Sequence, residues 1–328
     1  MSKILSVIDN LHKLRPLPRD RGDRCLILWW GSLRRAGATA GDCMAVANMA
    51  LGLKSRGIQT EIAAFIDLKI PEVPTVHPMA AQPRRYKAAC FVCGPLRSSR
   101  KILNLMDRYE SCHRIAAGVG IIEEEQEILK RFDKLVPRDG AIHSTFDLAL
   151  ASPWRETFPF PKKMPHLVYT CFRGSQSSIG LNGYSLHQRA EPVLEIAAKK
   201  AAKDGDVRKI DTVARTPESI RNVLEQFSKA RLVLTTRLHG SLLSLEHSVP
   251  FIAVDQINGG HKVTEVLSKI GWPYVFHAEE VTLSEIENAI IDVTEPNFPI
   301  KINEYRSLAI DKANIALEKA CDAVEGFY

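Results

Sequence analysis

The sequence predicts an α/β protein made of two halves, each built around a parallel β-sheet. Short apolar runs alternate with longer segments of helical periodicity along the 328 residues, and turns rich in glycine separate them. This order is typical of βαβ units, whose consecutive strands lie parallel. Four prolines fall between Pro153 and Pro165, and such a stretch is not expected to form a central strand or a helix. We therefore place a linker between the halves there.

The first half begins with a predicted strand at Cys25–Trp30. A loop with three glycines then leads into a helix from Asp42 to Arg56, which Gly57 ends because glycine readily adopts the conformation that follows a helix. The remaining elements of this half are predicted as strands at Thr60–Phe65, Ala88–Val92 and Arg114–Ala117, and as helices at Arg100–Tyr109 and Glu123–Lys134.

The alternation restarts after the linker. In the second half, the helix with the clearest start signal begins at Pro217, because Thr216 is a favoured N-cap and proline fits the first turn. Predicted strands are His166–Phe172, Arg208–Val213, Leu232–Thr236, Phe251–Val254 and Tyr274–Phe276; predicted helices are Arg189–Lys203, Pro217–Ala230, His239–His247, Lys262–Ile270, Leu283–Ile291 and Asn303–Ala323. The predicted domains are residues 1–158 and 159–300, followed by a C-terminal helix at 301–328 that packs back on the first domain.

Composition narrows the function classes. The net charge of +6 favours an anionic partner. The basic residues are mostly spread out and aromatic residues make up only 7%, so nothing indicates nucleic-acid binding. No apolar run reaches the roughly 18–20 residues of a membrane-spanning helix, and the N-terminus lacks the apolar core of a secretory signal. We expect a cytoplasmic protein, and leave open both docking at the inner face of the membrane and a homo-oligomeric state.

The seven cysteines are an odd number, which suits a reducing compartment. Cys90 and Cys93 lie in a predicted buried strand, and no second pair completes a zinc site. Gly118-Val119-Gly120 lacks the third glycine of a dinucleotide-binding fingerprint. We therefore expect neither a metal nor a cofactor.

The most informative window for a functional site is residues 232–271. Arg237 and His239 stand at the predicted start of a helix, and Lys262 opens the next one. A helix N-terminus is already partly positive, so cations there suggest a bound anion. Gly240 would let a ligand approach the backbone. Because the carboxyl ends of parallel strands meet at one edge of the sheet, these residues should converge where α/β proteins bind ligands.

Several segments here also occur in a recognisable order. Thr236–Gly240 (TRLHG), Ser248–Ala253 (SVPFIA) and Lys262 resemble the C-terminal signature of the polysaccharide pyruvyltransferase family. Val168–Arg173 resembles the family strand that ends in an arginine. Ala40-Gly41-Asp42 resembles a family element in the first half, with Thr39 in place of the family's asparagine. Val136–Asp139 is similar to the family's R-D element.

The resemblance implies two Rossmann-like domains with parallel sheets in a GT-B-like arrangement, with the active site in the interdomain cleft. It also implies an enzyme of polysaccharide biosynthesis, such as that of exopolysaccharide or the cell envelope. This enzyme would transfer the pyruvyl group of phosphoenolpyruvate to sugar hydroxyls, forming a pyruvate ketal and phosphate. Its partners would be phosphoenolpyruvate as donor and a glycan or lipid-linked sugar as acceptor.

The resemblance further implies roles for individual residues. Arg173, Arg237, Leu238, Gly240 and Lys262 would bind the substrate, with the two guanidinium groups gripping its anionic groups. His239 would be the acid that protonates the methylene carbon or the leaving phosphate. Asp42 would act on the acceptor as a base or anchor, although Asp is also a favoured residue at a helix start.

Two other functions fit the same residues. A GT-B glycosyltransferase with a nucleotide-sugar donor would also use cations at these helix starts. A non-catalytic protein that binds a glycan or an anion could keep the fold, and the absent asparagine before Gly41-Asp42 favours this alternative.

Overall fold

The structure is a computed structural model that describes residues 22–33, 38–96, 98–122, 127–157, 167–176, 184–203, 205–214 and 216–328. Residues 158–166, which hold most of the predicted linker, lie outside the described residues. Two parallel sheets form the two halves, which confirms the predicted fold class.

The first half holds the larger sheet. Its strands are β1 (Arg24–Leu28), β3 (Thr60–Ala63), β4 (Thr75–Val76), β5 (Tyr86–Val92), β6 (Pro95–Leu96), β7 (His113–Ile121) and β8 (Lys134–Asp139), and β2 (Ala38–Thr39) lies outside that sheet. Its helices are α1 (Trp30–Leu33), α2 (Ala40–Ser55), α3 (Arg100–Arg108) and α4 (Ser152–Thr157), with 3-10 turns at Pro83–Arg85, Glu127–Arg131 and Leu148–Leu150. The sheet order is β4-β3-β1-β5-β7-β6, with β8 also paired to β7, and all pairings are parallel.

The second half has a smaller sheet of the order β10-β9-β12-β13-β14, also entirely parallel. Its strands are β9 (Leu167–Cys171), β10 (Val207–Lys209), β12 (Ala230–Thr235), β13 (Phe251–Asp255) and β14 (Val275–His277), with β11 (Val213–Ala214) outside the sheet. Its helices are α5 (His187–Ala202), α6 (Pro217–Ser228), α7 (Leu238–Glu246), α8 (Lys262–Ser268), α9 (Leu283–Val293) and the final helix α10 (Phe298–Glu325).

Several predicted elements are wrong in extent or type. The first strand ends at Leu28, and Trp30 starts a short helix instead of closing the strand. The helix predicted over Glu123–Lys134 is, in its described part, a 3-10 turn followed by strand β8. Within the proline-rich stretch, α4 is helical because Pro153 stands in its first turn, where proline is tolerated.

Helices α2 and α10 hold the two halves together. Helix α2 is buried on nearly every side, as an apolar helix without a polar face must be. It packs on α10, and Gly52 permits the close approach: a Cβ there would lie 3.0 Å from Sγ of Cys321. Helix α10 also contacts α7 of the second half, so it bridges both halves.

A small antiparallel ribbon crosses between the halves beside α2. Thr39 of β2 pairs with Val213 of β11, and the backbone N–H of Ala40 donates to the carbonyl of Thr212 at 2.8 Å. This ribbon fixes the N-terminus of α2 against the second half.

Candidate functional site

A cleft of about 570 Å³ lies between the two sheets. Each sheet has a point where the strand order reverses, between β1 and β5 in one half and between β9 and β12 in the other. Open α/β sheets bind ligands beside such points, at the carboxyl ends of the strands. The cleft is lined by residues of both halves: Trp30, Ala38, Thr39, Asp42, Gly94, Pro95, Arg138, Arg173, Gln176, Thr212, Val213, Thr236, Arg237, Leu238, His239 and Lys262.

The structure brings together six of the seven predicted site residues around this cleft: Asp42, Arg173, Arg237, Leu238, His239 and Lys262. Gly240 is the exception. A Cβ on it would lie 2.2 Å from Oγ1 of Thr235 and 3.1 Å from Sγ of Cys171. Gly240 therefore lets α7 pack closely on its own sheet, and it is not among the residues that line the cleft.

Lys262 is held at the mouth of the second sheet by the turn before it. The carboxylate of Asp255, at the end of β13, accepts hydrogen bonds from the backbone N–H groups of His261 (2.8 Å) and Thr264 (3.0 Å). Gly260 has a φ of +75°, and a Cβ there would meet the ring of His277. Burial, reinforced by Arg138 and Arg173, lowers the pKa of the Lys262 ammonium. We find no ion pair to this ammonium among the described residues.

Arg237 is the N-cap of α7, and the second half holds its side chain in place. Its Nε donates to the carbonyl of Phe172 at 2.6 Å, and its two terminal nitrogens donate to Thr212 (3.1 Å) and Asp211 (3.2 Å). These contacts use three of the five donors of a guanidinium. They orient its planar group at the wall of the cleft.

The ring of His239 crosses to the first half. Its Nδ1 lies 2.5 Å from Oγ1 of Thr39, the N-cap of α2. The same hydroxyl lies 2.8 Å from Oδ2 of Asp42, whose carboxylate completes a capping box with the Thr39 N–H. Asp42 is thus both a helix cap and part of the cleft wall.

The other ring nitrogen of His239 is buried and faces a second carboxylate. Nε2 lies 3.5 Å from Oδ2 of Asp147, which also accepts from Arg138 at 2.7 Å. Arg138 in turn donates to Asp139, so a buried guanidinium joins two buried carboxylates. Burial alone would raise the pKa of Asp147, but Arg138 and His239 outweigh it and hold this pKa below its usual range.

Sequence reasoning missed Asp147 and did not assign a role to Thr39 or Trp30. Asp147 caps the 3-10 turn at Leu148–Leu150 by accepting from the Ala149 N–H, and this local role gives no sign of the distant histidine. Trp30 lines the first-half wall of the cleft. Its indole lies so close to Gly94 that a Cβ there would be 2.0 Å from Nε1.

Polar contacts between the halves occur at two further places. Glu265 of α8 accepts from the N–H of Gly140 at 2.8 Å, and Lys269 donates to the carbonyl of Thr145 at 2.7 Å. Arg155 of α4 makes a two-pronged bond to the buried carboxylate of Glu246. The separation of the two walls is thereby set by side chains from both halves.

Other chemistry is sparse in the described part of the chain. All seven cysteines are buried and free, and burial raises the pKa of Cys90 and Cys93. No cluster of three or more histidine, cysteine or acidic side chains arranged to hold a metal occurs among the described residues. Every described helix is too short or too polar to cross a lipid bilayer.

Comparison with known proteins supports the resemblance seen in the sequence. Residues 175–258 match the family model for polysaccharide pyruvyl transferase, which confirms the predicted resemblance in the second half. This segment includes Arg237, Leu238 and His239. No curated protein sequence matches this chain.

Solved structures with the same architecture include sugar-nucleotide enzymes. A putative UDP-N-acetylglucosamine 2-epimerase from Listeria monocytogenes has a TM-score of 0.55 at 9% identity, over 93% of this chain and 96% of its own. The UDP-GlcNAc 2-epimerase from Neisseria meningitidis scores 0.50 at 9% identity, over 92% and 100%. An O-GlcNAc transferase mutant from Thermobaculum terrenum scores 0.51 at 12% identity, over 94% and 67%. These likenesses show the fold, which is GT-B-like as predicted.

Proposed function

We propose that this protein transfers the pyruvyl group of phosphoenolpyruvate to hydroxyls of a sugar, giving a pyruvate ketal and phosphate. The observation that carries the proposal is the convergence of Arg173, Arg237 and Lys262 on one cleft that also holds His239 and Asp42. A carboxylate and a phosphate on a three-carbon unit need several cationic partners close together. The match to the pyruvyl transferase family in the same half supports the same donor.

The donor would lie against the second half. Arg237 is oriented by its own hydrogen bonds and so can present its remaining donors to an anion at little entropic cost. Lys262 would act as a compact charge on the phosphate. Together they would stabilise the charge that develops on the departing phosphate, which is the largest demand of this reaction on the protein.

The acceptor would lie against the first half. Trp30 offers the aromatic surface of that wall, and Asp42 offers a carboxylate close by. An indole carries a broad apolar face, which suits the apolar face of a sugar ring, and a carboxylate binds or activates a sugar hydroxyl. With the donor on one wall and the acceptor on the other, the two acceptor hydroxyls would lie between Asp42 and the donor.

Thermal unfolding tests the donor first. Phosphoenolpyruvate should raise the Tm of the wild-type protein, because a ligand that binds only the native state stabilises it by mass action, and UDP should not. Arg237→Ala should abolish the shift. Lys319→Met, which removes an exposed lysine of α10, should retain it. A shift with UDP alone would instead indicate a nucleotide-sugar glycosyltransferase.

Turnover tests the reaction itself. Phosphate release from phosphoenolpyruvate should depend on an added sugar or glycan acceptor, and His239→Ala should abolish it without unfolding the protein. Binding of phosphoenolpyruvate with no turnover on any acceptor of a broad panel would contradict the enzymatic proposal and favour the non-catalytic alternative.

A further inference from the structure

The hydroxyl of Thr39 lies between the two residues proposed to move protons. It is 2.8 Å from a carboxylate oxygen of Asp42 on its own helix and 2.5 Å from Nδ1 of His239 on the other half. A hydroxyl both donates and accepts, so it can take a proton from one neighbour while giving its own to the other. The three groups form one hydrogen-bonded chain across the domain boundary.

The position of the His239 ring makes this chain important. Nδ1 faces Thr39, and Nε2 is buried 3.5 Å from Asp147. Of these two partners Thr39 lies closer to a ring nitrogen, and a proton can pass between them directly. Thr39 itself lines the cleft.

We propose that the Thr39 hydroxyl is the proton-relay group of this site, joining Asp42 to His239 and passing protons between them and the substrate. The proposal rests on the proposed pyruvyl transfer. A side-chain amide, as asparagine would supply at this position, caps a helix equally well but has no hydroxyl to relay a proton.

The reaction balances with such a relay. The π electrons of phosphoenolpyruvate take a proton from Thr39 at the methylene carbon, while Nδ1 of His239 returns one to Thr39. The first acceptor hydroxyl then bonds to C2 and loses its proton to Asp42. The bond from C2 to the phosphate oxygen breaks as the second hydroxyl bonds to C2 and its proton passes to the departing phosphate.

Two hydroxyl protons enter this scheme and two are consumed. One ends on the new methyl group and the other leaves on phosphate, so no net proton is released. The proton held by Asp42 returns through Thr39 to His239 and resets the site. Because the reaction releases no net proton, the base must return its proton to the acid, and the hydrogen bonds through Thr39 connect the two groups.

Kinetics of two variants test the relay. Thr39→Asn should keep the helix cap, the Tm and the KM for phosphoenolpyruvate, but lower kcat about a hundredfold, within the usual range for losing one proton-transfer group. Thr39→Ser should keep at least a tenth of the wild-type kcat. In mixtures of H₂O and D₂O, kcat of the wild type and of Thr39→Ser should vary non-linearly with deuterium fraction, whereas Thr39→Asn should vary linearly. An unchanged kcat in Thr39→Asn would overturn the relay.

A measurement without substrate separates this proposal from the proposed function. NMR of the protein without substrate should show a slowly exchanging Nδ1 proton of His239, identified by its loss in His239→Gln. The signal should persist in Thr39→Ser and disappear in Thr39→Val. A signal unaffected by Thr39→Val would refute the hydrogen-bonded chain. If the signal depends on Thr39 but the wild type transfers no pyruvyl group, the proposed reaction is wrong and so is the relay's role in it.

Discussion

A Cβ atom placed on Gly41 would lie 2.4 Å from Cδ2 of His239, so the imidazole of the second half rests directly on the backbone of the first. Gly41 lies in the first turn of α2, where its backbone is helical. The glycine is therefore needed for a close approach between domains and not for an unusual backbone conformation.

Gly41→Ala should lower kcat at least tenfold, because the added methyl group must push the ring away from Thr39. Alanine favours a helix by up to about 1 kcal/mol over glycine. When both effects are expressed as free energies, the loss in kcat should therefore exceed any loss in the free energy of unfolding. Phosphate release and chemical denaturation measure the two effects. Gly52→Ala is the matched control on the same helix: its Cβ would meet Cys321, far from His239, and should alter stability alone. Equal losses of kcat in both variants would contradict this account.

Much of the fold and part of the site could be predicted from the sequence because both depend on local patterns. Alternating strands and helices indicate parallel sheets, and parallel sheets bring their carboxyl ends together. Arg237 and Lys262 follow two strands that pair directly in the structure, β12 and β13. Their convergence therefore follows from topology alone.

The remaining features depend on contacts that no local pattern contains. Thr39 and His239 are 200 residues apart in the chain, and Asp147 has a complete local role as a turn cap. Strand β8 holds Pro137, and a proline argues against a central strand. The structure resolves this, since β8 pairs only with β7 and lies at the sheet's edge, where proline is tolerated.

Lys262→Met should weaken binding of phosphoenolpyruvate by about ten- to a hundredfold, the usual cost of losing a hydrogen bond to a charged group. Lys262→Arg keeps the charge and should lose less. Burial lowers the pKa of the Lys262 ammonium. The affinity for phosphoenolpyruvate should therefore fall as pH rises and the ammonium loses its proton, and this fall should begin at a lower pH than it would for an exposed lysine. Calorimetric titration across pH measures this. A Lys262→Arg variant with the same decline would show that another group titrates.

Trp30→Ala should raise the KM for a sugar acceptor about tenfold, since aromatic contacts contribute about 1 kcal/mol beyond area burial. Affinity for phosphoenolpyruvate should not change, because the proposed function assigns the donor to the opposite wall. Trp30→Phe keeps an aromatic ring, and also the edge contact that Trp30 makes with Phe91 at 6.4 Å between ring centroids. It should therefore retain most of the acceptor affinity. A KM unaffected by Trp30→Ala would remove this side chain from the acceptor site.

Asp147→Asn should destabilise the fold by about 3 kcal/mol at neutral pH, because buried Arg138 loses one of its two carboxylate partners. The lowered pKa of Asp147 means that its carboxylate stabilises the native state above the pKa it has when unfolded, and that this contribution is lost as pH falls through the lower native value. The difference in the free energy of unfolding between the wild type and Asp147→Asn should thus shrink below about pH 4. Urea denaturation at several pH values measures it, and a difference independent of pH would contradict the charge-based explanation.

His247 should make the protein lose stability in mild acid. Its side chain is half-buried at the end of α7, and desolvation, with Arg306 and Arg155 nearby, lowers its pKa from 6.5 to about 4. The native state therefore holds the ring neutral where the unfolded chain would already bind a proton. Stability from this group is complete above pH 6.5 and declines as pH falls from 6.5 towards 4.

The expected decline is at most about 3.5 kcal/mol over that interval, since each pKa unit corresponds to about 1.4 kcal/mol. His247→Gln should flatten the dependence of the unfolding free energy on pH between 6.5 and 4, whatever its effect at neutral pH. Asp147→Asn serves as the control, because its effect belongs to a more acidic range. If His247→Gln retains the full wild-type slope, the acid sensitivity arises from another group, and the pKa of His247 must lie closer to that of a free histidine.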